Sequence, residues 1–450
     1  MSHYKSYPVY KNSGVEWIGR VPEHWETLRI KRAAALRNER RNDLPNGWTY
    51  VGLEDVESES GRYAPTKGES RLSDDSMVGV FRAGDVLYGK LRPYLRKAIV
   101  TERDGVCSTE FLVLIAGRAV ATWLHCWLLT PDVTQQIEAG CDGAKMPRAD
   151  WEHVGSIPMP LPPPAEQSTI AAALDRETIR IDALIAKKTC FIELLKEKRS
   201  ALITHAVTKG FDPDVKMKDS GVEWIGEVPE HWNTARLANI GSFSKGSGGT
   251  KADDADVGVA CIRYGDIYTT YDTLIRKIVR FITEQASSSY TPIQHGDILL
   301  AASGETFEEI GKSSVYLGDE NCVCGGDVII LRPVKIVDPA FLAYALASSV
   351  SQSQKKLMGK GFTVIHIYAG DLRDLVIVLP PKDEQRSISR HLEKKLASID
   401  GLISTTQRSI DLLKERRSAF IVAAVTGQID LRCQSGDLPI SNDSRRVTCA

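Results

Sequence analysis

Long apolar runs are missing from this chain of 450 residues. No stretch approaches the roughly 18 apolar residues that a membrane-spanning helix needs, and the opening residues, MSHYKSYPVYKNSG, lack the apolar core of a signal peptide. The nine cysteines are scattered and odd in number, which favours a reducing compartment over a disulfide framework. These absences predict a cytoplasmic protein without a membrane partner.

The chain also lacks an excess of charge of either sign, because it has 57 basic and 58 acidic residues and a formal net charge of −1. This balance neither predicts nor excludes a polyanionic partner, since phosphate contacts depend on local patches. Cys322 and Cys324 form a single C-x-C without a second cysteine pair nearby, so buried thiols are favoured over a zinc site. We therefore expect no metal site in this chain.

What the sequence does contain is a duplication. Ser13–Trp25 reads SGVEWIGRVPEHW and Ser220–Trp232 reads SGVEWIGEVPEHW, so 12 of 13 positions match at a distance of 207 residues. A second pair of motifs, LPPPAEQ from Leu161 and LPPKDEQ from Leu379, opens two long helical patterns. The chain is therefore two copies of one unit. A protein made of two copies of one unit usually binds a partner that also has two parts.

The two helical patterns, residues 165–208 and 383–426, align without a gap at an offset of 218. Apolar residues recur along both with 3–4 spacing, interrupted in the first pattern by Thr178, Lys188 and Arg199, which predicts the seam of a long coiled-coil helix. The seam residues are Leu174, Ile181, Ile185, Ile192, Leu195 and Leu202 in the first pattern, and Leu392, Leu396, Ile399, Ile403, Ile410, Leu413 and Phe420 in the second. A helix of some 44 residues would be roughly 65 Å long.

The globular blocks between these helices carry similar patterns despite divergent sequences. Strands are predicted at Gly84–Tyr88 and Phe111–Ile115, followed by a buried helix at Thr122–Thr130; their counterparts are Gly296–Leu300, Val328–Leu331 and Phe341–Ala347. A whole block separates the helices, so a two-fold relation between the units would pack them antiparallel. It would also bring the ends of the chain close together.

The predicted fold class is therefore α+β, with two globular domains joined by two long antiparallel helices in an internal pseudo-two-fold duplication. The predicted boundaries are 1–160 for the first domain, 161–210 for the central helix, 211–378 for the second domain, 379–430 for the C-terminal helix and 431–450 for a disordered tail.

The paired W-I-G-x-V-P-x-H-W and P-P-x-x-E-Q motifs, with two divergent blocks and two similar helices, resemble the specificity subunits of type I restriction–modification enzymes over about residues 10–430. In that family each globular block is a target recognition domain that reads one half of a split DNA site, and the helices form a spacer. The resemblance implies double-stranded DNA, two modification subunits and restriction subunits as partners. It also implies that S-adenosylmethionine is bound by the modification subunits, which methylate adenine, and not by this chain.

Two segments of the first block are candidates for contact with DNA. Tyr88–Ala98 (YGKLRPYLRKA) mixes basic and aromatic residues without an acid, which suits phosphate contact and entry into a groove. The family often carries a similar G-K-x-R-P-Y element, and Gly143–Arg148 (GAKMPR) resembles another of its loops. The candidate residues are Lys90, Arg92, Tyr94, Arg96, Lys97, Lys145 and Arg148. A solvated basic edge and an ordinary turn would have the same composition.

Two segments of the second block are comparable. Lys245–Lys251 (KGSGGTK) is a glycine loop between lysines, which allows close approach to a backbone, and Arg263 and Tyr264 follow it. Lys360–His366 (KGFTVIH) stands roughly where GAKMPR stands in the first block. The candidate residues are Lys245, Ser247, Lys251, Arg263, Tyr264, Lys360, Thr363 and His366.

The repeated tryptophans Trp17, Trp25, Trp224 and Trp232 could in principle stack on bases. However, they lie in segments that match between the copies, whereas readers of two half-sites should differ. We therefore expect them, with His24 and His231, to form a structural joint between each helix end and its globular block.

Motifs for independent catalysis are missing. The sequence holds no N-P-P-F-like or D-P-P-Y-like motif of an adenine methyltransferase, and Gly304–Ser313 (GETFEEIGKS) has Thr306 where a P-loop requires glycine. We expect no catalytic residues and a subunit that is not itself an enzyme. The alternative is a coiled-coil scaffold with two protein-binding domains, whose binding would not depend on DNA sequence.

Overall fold

A computed structural model of the chain describes residues 4–65, 77–141, 143 and 145–432, with only the backbone of Lys251. The predicted disordered tail lies outside this part of the chain, apart from Leu431 and Arg432. Within the described residues, no helix has both the length and the apolar character that crossing a membrane requires.

The first block consists of short strands with four helices behind them. Its strands are β1 Tyr10–Asn12, β2 Arg20–Pro22, β3 Glu26–Arg29, β4 Ala34–Leu36, β5 Arg40–Arg41, β6 Thr49–Val51, β7 Val78–Phe81, β8 Val86–Gly89, β9 Ala98–Val100, β10 Gly105–Cys107, β11 Phe111–Ala116 and β12 Pro158–Leu161. Its helices are α1 Ile30–Ala33, α2 Ala121–Leu128, α3 Pro131–Ala139 and α4 Trp151–Ser156. The helix α5, Pro164–Lys209, follows as one element of 46 residues.

The second block repeats this plan with longer sheets. Its strands are β13 Met217–Asp219, β14 Glu227–Pro229, β15 Asn233–Arg236, β16 Gly241–Lys245, β17 Asp254–Ala255, β18 Val259–Ile262, β19 Leu274–Ile275, β20 Phe281–Ile282, β21 Thr291–Ile293, β22 Ile298–Ala301, β23 Ser303–Gly304, β24 Ser313–Tyr316, β25 Cys322–Cys324, β26 Val328–Pro333, β27 Ile365–His366 and β28 Val376–Leu379. Its helices are α6 Leu237–Ile240, α7 Tyr264–Thr269, α8 Glu284–Ser287, α9 Pro339–Ala347, α10 Ser349–Met358 and α11 Ala369–Leu372. The helix α12, Lys382–Val425, closes the block with 44 residues.

The two long helices confirm the helical patterns of the sequence. Proline opens α5 at Pro164 and Pro381 directly precedes α12, where a missing N–H costs nothing because the first turn has no partner for it. A glycine with left-handed backbone follows each helix: Gly210, at φ +74°, comes directly after α5, and Gly427, at φ +72°, comes two residues after α12. The predicted seam residues are buried or partly buried along both helices.

By its contacts the chain divides into two compact units: Met1–Thr189 with Arg408–Ala450 (unit 1), and Cys190–Gln407 (unit 2). Each long helix therefore contributes one half to each unit. In unit 1 the halves pack side by side, with Arg416 3.1 Å from Glu177 and Arg417 3.1 Å from Asp182. In unit 2, Arg199 of α5 lies 3.2 Å from Asp400 of α12.

Each unit is built around a central sheet next to a second sheet. In unit 1 the strand orders are β4-β11-β8-β9 and β5-β7-β10-β6. In unit 2 they are β16-β26-β22-β24-β19 and β17-β20-β18-β25-β21. In unit 1, α2 buries Trp123 and Trp127 in the same core as Ile170 of α5 and Phe420 of α12. In unit 2, α9 buries Phe341 and Leu342 in a core that includes Leu195 and Leu392. The mixed α and β architecture predicted from the sequence is confirmed.

A buried carboxylate marks the start of the middle strand in each central sheet. Asp85, just before β8, pairs with Arg37 at 2.7 Å, and Asp297, just before β22, pairs with Arg332 at 2.7 Å. Each carboxylate also accepts a backbone N–H at 2.8 Å from three residues earlier. The G-D-V-L-Y and G-D-I-L-L segments are therefore the same turn and strand in both units.

The duplicated motifs meet each other in each unit. The glutamate of LPPPAEQ, Glu166, accepts a hydrogen bond from Trp25 Nε1 at 3.1 Å and lies 2.8 Å from His24 Nε2. Glu384 of LPPKDEQ accepts one from Trp232 Nε1 at 2.8 Å and lies 2.8 Å from His231 Nε2. We call this Glu–His–Trp contact the helix joint.

The glutamines of the same motifs complete the joint. Gln167 donates to the Pro162 carbonyl and accepts from the Val120 N–H, at 2.8 and 2.7 Å. Gln385 donates to the Pro380 carbonyl and accepts from the Asp338 N–H, both at 2.8 Å. Each glutamine thereby connects the start of its long helix to the N-terminus of the helix that follows the central sheet.

Three of the four repeated tryptophans fit the structural joint expected from the sequence. Trp25 and Trp232 are buried, and Trp17 stacks on Trp127 with ring centroids 5.7 Å apart. Trp224 differs, because half of its surface is exposed at 50%. The helix α9, which replaces α2 in unit 2, contains no tryptophan to receive it.

Candidate nucleic-acid interface

Two distant segments of unit 1 meet at the end of the middle strand β8. The loop of residues 90–97 joins β8 to β9, and Leu91 forms a bridge with Arg148. The Arg92 N–H donates to the Pro147 carbonyl and the Ala149 N–H donates to the Lys90 carbonyl, both at 2.9 Å. The two basic segments singled out in the sequence are therefore neighbours in space.

The side chains of this loop pair divide into two groups. Arg92, Tyr94, Lys145 and Arg148 are exposed and Lys90 is partly buried, so these five residues line the surface. Arg96 instead pairs with Glu59 at 2.6 Å, and Lys97 donates to the Leu53 carbonyl at 2.7 Å. These two residues hold the loop against the segment that follows β6.

Backbone conformation explains how the loop of residues 90–97 is shaped. Arg92 and Arg96 adopt left-handed conformations, with φ of +51° and +48°, on either side of a 3₁₀ turn at Pro93–Leu95. Such conformations are costly for residues with a Cβ and persist where the surroundings fix them. Here the hydrogen bond of the Arg92 N–H and the ion pair of Arg96 supply that constraint, so Tyr94 is held outward.

Unit 2 repeats this arrangement with different residues. The Ile367 N–H donates to the Ala302 carbonyl at 2.9 Å, and the Ala302 N–H donates to the Asp327 carbonyl at 2.8 Å. These match the bonds from Ala149 to Lys90 and from Lys90 to the Glu110 carbonyl in unit 1. Residues 360–366 and 145–148 therefore occupy equivalent positions, as the sequence predicts.

The glycine loop of unit 2 joins the same edge. The Gly326 N–H donates to the Gly248 carbonyl at 2.7 Å, next to Asp327. Residues 246–250, 302–304, 325–327 and 360–367 thus form one continuous row. We call this row, and the pair of segments 90–97 and 145–149 in unit 1, the loop edges of the two units.

Arg263 lies beneath the glycine loop. Its guanidinium is 2.5 Å from Asp254, and it donates to the Thr250 carbonyl at 2.7 Å and to Tyr290 Oη at 3.2 Å. It is therefore engaged within unit 2 and braces the loop, whereas Tyr264, at the start of α7, is exposed.

Other candidates of unit 2 are distributed along the loop edge. Ser247 Oγ donates to the Ser289 carbonyl at 2.9 Å, and Lys245 ends β16 with its side chain exposed. Lys251 opens a 3₁₀ turn, Lys251–Asp253. Lys360 Nζ donates to Asp371 at 2.9 Å, Thr363 is exposed, and His366 Nδ1 lies 2.9 Å from Ser303 Oγ.

Acidic partners at the loop edges could not be found from sequence patterns. Glu110 lies 3.2 Å from Arg148, and Asp371 pairs with Lys360. Glu110 is 38 residues away from Arg148 in sequence, and Asp371 lies outside the basic segment that contains Lys360. At each loop edge, a phosphate would compete with the carboxylate for the cation that the carboxylate holds. One aromatic residue, Phe362, was also missed, because nothing in the letters KGFTVIH indicates that its ring is exposed.

Several known proteins are similar to this chain in sequence. A family model for the type I restriction modification DNA specificity domain matches residues 229–411. The type I restriction enzyme MjaVIII specificity subunit of Methanocaldococcus jannaschii is 23% identical over 432 residues, which cover 92% of this chain and 95% of that protein. The EcoBI specificity subunit of Escherichia coli is 27% identical over 298 residues, covering 62% of this chain and 60% of that protein.

A solved structure has the same fold. A chain from a structural study of complex assembly and conformational transition in the type I R-M system superposes with a TM-score of 0.69 at 21% identity, covering 90% of this chain and 98% of that one. The fold and the duplicated joints thus define a two-domain protein with long connecting helices. The chain is similar in sequence to specificity subunits of type I restriction–modification systems, in agreement with the resemblance seen in the repeated motifs.

Proposed function

We propose that this chain is the DNA sequence-specificity subunit of a type I restriction–modification complex, and that each unit reads one half of a split target. The observation that carries this proposal is the pair of equivalent loop edges. Their backbones share the same hydrogen bonds, whereas their side chains differ: Lys145 corresponds to Thr363 and Arg148 to His366. Equivalent backbones that carry different side chains suit the recognition of two different half-sites, and hence of an asymmetric target.

The long helices set the distance between the half-sites. Both α5 and α12 continue without interruption from one unit into the other, so we expect a change in their length to alter the spacing of the half-sites without altering the loop edges. Half-sites on a duplex need such a ruler because each turn of DNA advances about 34 Å.

The catalytic chemistry belongs to partner subunits. Two modification subunits bind S-adenosylmethionine and methylate adenine in each half-site, and restriction subunits add cleavage. This chain supplies specificity in the cytoplasm and binds double-stranded DNA mainly as part of the complex. An expected property follows: the isolated chain has no methyltransferase activity.

The experiment is a selection of bound sequences from a random duplex library, using the purified complex with modification subunits. Arg92→Ala removes an exposed cation from the loop edge of unit 1, so we expect one half of the selected motif to lose its sequence preference while the other half stays unchanged. The matched control is Arg118→Ala, since Arg118 pairs with Glu26 at the opposite end of β11.

Selection of the same motif with Arg92→Ala would remove this residue from the interface. Equal loss of both half-sites would indicate general weakening rather than local reading. Recovery of no motif with the unaltered complex would favour a scaffold whose domains bind other proteins.

A further inference from the structure

Phe362 is the most exposed large apolar side chain among the described residues, with a relative exposure of 101%. Val364, two residues later, is also exposed at 47%. Isolated apolar residues at a surface need no explanation, but a phenylalanine that stands wholly in water gives up a large hydrophobic contribution. The surrounding chain shows why this ring does not fold back.

The ring sits at the tip of a tight hairpin. The Lys360 N–H donates to the His366 carbonyl at 2.8 Å, and the His366 N–H donates to the Lys360 carbonyl at 2.7 Å. Gly361 adopts φ +129°, and a Cβ at this position would collide with the Val364 carbonyl oxygen. The turn therefore depends on glycine, and its geometry directs the following residue outward.

The base of the hairpin is anchored on both sides. Ile365 is buried, and β27 pairs with β23 so that His366 faces Ser303. On the other side, Lys360 Nζ bonds Asp371 and lies 5.7 Å from the centroid of the Tyr368 ring. A short loop fixed in this way presents Phe362 in a preorganised position, which lowers the entropic cost of contact.

We infer that Phe362 is an apolar wedge that inserts between neighbouring base pairs in the half-site read by unit 2. This inference rests on the proposed function. It adds a contact that senses how easily the DNA is deformed, rather than the hydrogen-bonding groups on the base edges. An inserted phenyl ring unstacks one base step, and pyrimidine–purine steps such as TA and CA unstack at the lowest cost. Unit 2 therefore favours such a step opposite the hairpin.

The setting favours DNA over a protein partner. The hairpin lies in the loop edge, beside the glycine loop with Lys245, and its base carries Lys360 and His366. Its counterpart in unit 1 is the basic segment with Lys145 and Arg148, which exposes Met146 at 44% where unit 2 has Val364. An apolar tip near two lysines, Lys245 and the Asp371-paired Lys360, matches a groove with anionic walls and an apolar interior of stacked bases.

The test uses the complex with modification subunits and the duplex recovered by sequence selection. 2-Aminopurine is placed at successive positions of the unit 2 half-site other than the methylated adenine, since its fluorescence rises when the base unstacks. We expect one step to brighten with the unaltered complex and with Phe362→Trp, but not with Phe362→Ala. Base–aromatic stacking predicts that Phe362→Ala weakens binding by roughly 5- to 150-fold.

The control is Ile336→Ala, which removes another exposed apolar side chain of unit 2 near the start of α12, away from the loop edge. This variant should bind and brighten like the unaltered complex. Because the Phe362 ring is wholly exposed, its replacement should leave the thermal unfolding of the chain unchanged.

Three results would overturn the wedge. Unchanged affinity and fluorescence with Phe362→Ala would show that the ring is idle. Loss of modification subunits from the Phe362→Ala complex on gel filtration would make the hairpin a protein contact. Loss of affinity without any bright step would make Phe362 a surface contact that leaves the stack intact. Absence of sequence-specific binding by the unaltered complex would be a failure of the proposed function, and is seen before any variant is made.

Discussion

Glu166 shows at the scale of one residue why two motifs recur together in this chain. Besides its contacts with Trp25 and His24, it accepts a hydrogen bond from Tyr7 Oη at 2.8 Å. Burial and this bond to a carboxylate raise the pKa of Tyr7 above its ordinary range. Glu384 makes the equivalent contacts with His231 and Trp232, but its side chain is 43% exposed against 8% for Glu166.

This difference in burial leads to a prediction about the two joints. Glu166→Ala leaves the Trp25 and Tyr7 donors without an acceptor in a buried site, so we expect a loss of about 2–4 kcal/mol in the stability of unit 1. Glu384→Ala should cost about 1 kcal/mol or less in unit 2, because water can reach the freed groups. Hydrogen exchange followed by mass spectrometry measures each unit separately. Equal effects of the two substitutions would contradict the role of burial.

The helix joint could be predicted from the sequence only in part. The identity of the repeated segments indicated a structural role for the tryptophans, but their partner lies 141 residues away in unit 1 and 152 in unit 2. The exposure of Trp224 could not be foreseen either, because it depends on the helix that packs opposite. At the loop edge, Arg96 pairs with Glu59 and Lys97 with the Leu53 carbonyl, so both side chains are engaged within unit 1. No local sequence pattern predicts these contacts.

At the scale of elements, the long helices were the easiest features to predict. Their apolar spacing, the prolines before them and the glycines after them act locally, so the sequence determines their position to within a few residues. The sheets were predicted only as isolated strands, since strand order depends on contacts between distant residues. The parallel pairs β10–β6, β18–β25 and β19–β24 had no signal in the sequence.

Burial along α12 provides a second prediction. Leu392 is completely buried in the core of unit 2, whereas Leu402, also in the unit 2 half of α12, is 50% exposed. Leu392→Ala should reduce stability by about 2–5 kcal/mol through lost burial and a cavity, and Leu402→Ala by about 0.5 kcal/mol or less. The two variants share any change in helix propensity, so their difference in urea midpoint reports packing. Similar midpoints would mean that the seam of α12 does not stabilise unit 2.

A buried lysine in α10 gives a third prediction, on pH dependence. Lys355 Nζ donates to the Gly311 and Leu346 carbonyls at 2.8 and 3.0 Å, and burial lowers its pKa to about 7. Its pKa in the unfolded chain is near 10.4, so between these values the unfolded state binds an additional proton. Stability from this group therefore rises with pH above about 7.

Lys355→Met removes that dependence while keeping an unbranched side chain. We expect the stability of the unaltered chain relative to the variant to increase by about 2 kcal/mol between pH 7 and pH 9. Urea unfolding of both proteins across this range measures the difference, and other titrating groups cancel. A difference that stays constant with pH would show that Lys355 is charged in the folded state.

At the scale of the whole molecule, the duplication is cyclic. After α12, the Asp430 N–H donates to the Lys5 carbonyl at 2.7 Å, and Tyr10 Oη donates to the Gly427 carbonyl at 2.9 Å. In unit 2 the residues after Gly210 run directly into β13 and the second joint. The first and last described segments of unit 1 therefore occupy the place of one continuous connection in unit 2, as expected from the repeats.

Helix length gives a fourth prediction, which concerns the spacing of the target. Removing one heptad from both α5 and α12 keeps the apolar seam in register and shortens each helix by about 10 Å. We expect the gap between half-sites to shrink by about three base pairs, at 3.4 Å per pair, with both half-sites unchanged. Selection from a random library measures the gap, and an unchanged gap would contradict the ruler.

The most direct measurement of the proposed function is methylation mapping at single-molecule resolution. DNA would be taken from cells that express this chain with its modification subunit, and from cells that express the modification subunit alone. We predict a new asymmetric motif in two parts, with methyladenine in both halves and one fixed gap, only when this chain is present. The absence of any new motif, although the complex is recovered intact by gel filtration, would contradict a role in DNA specificity.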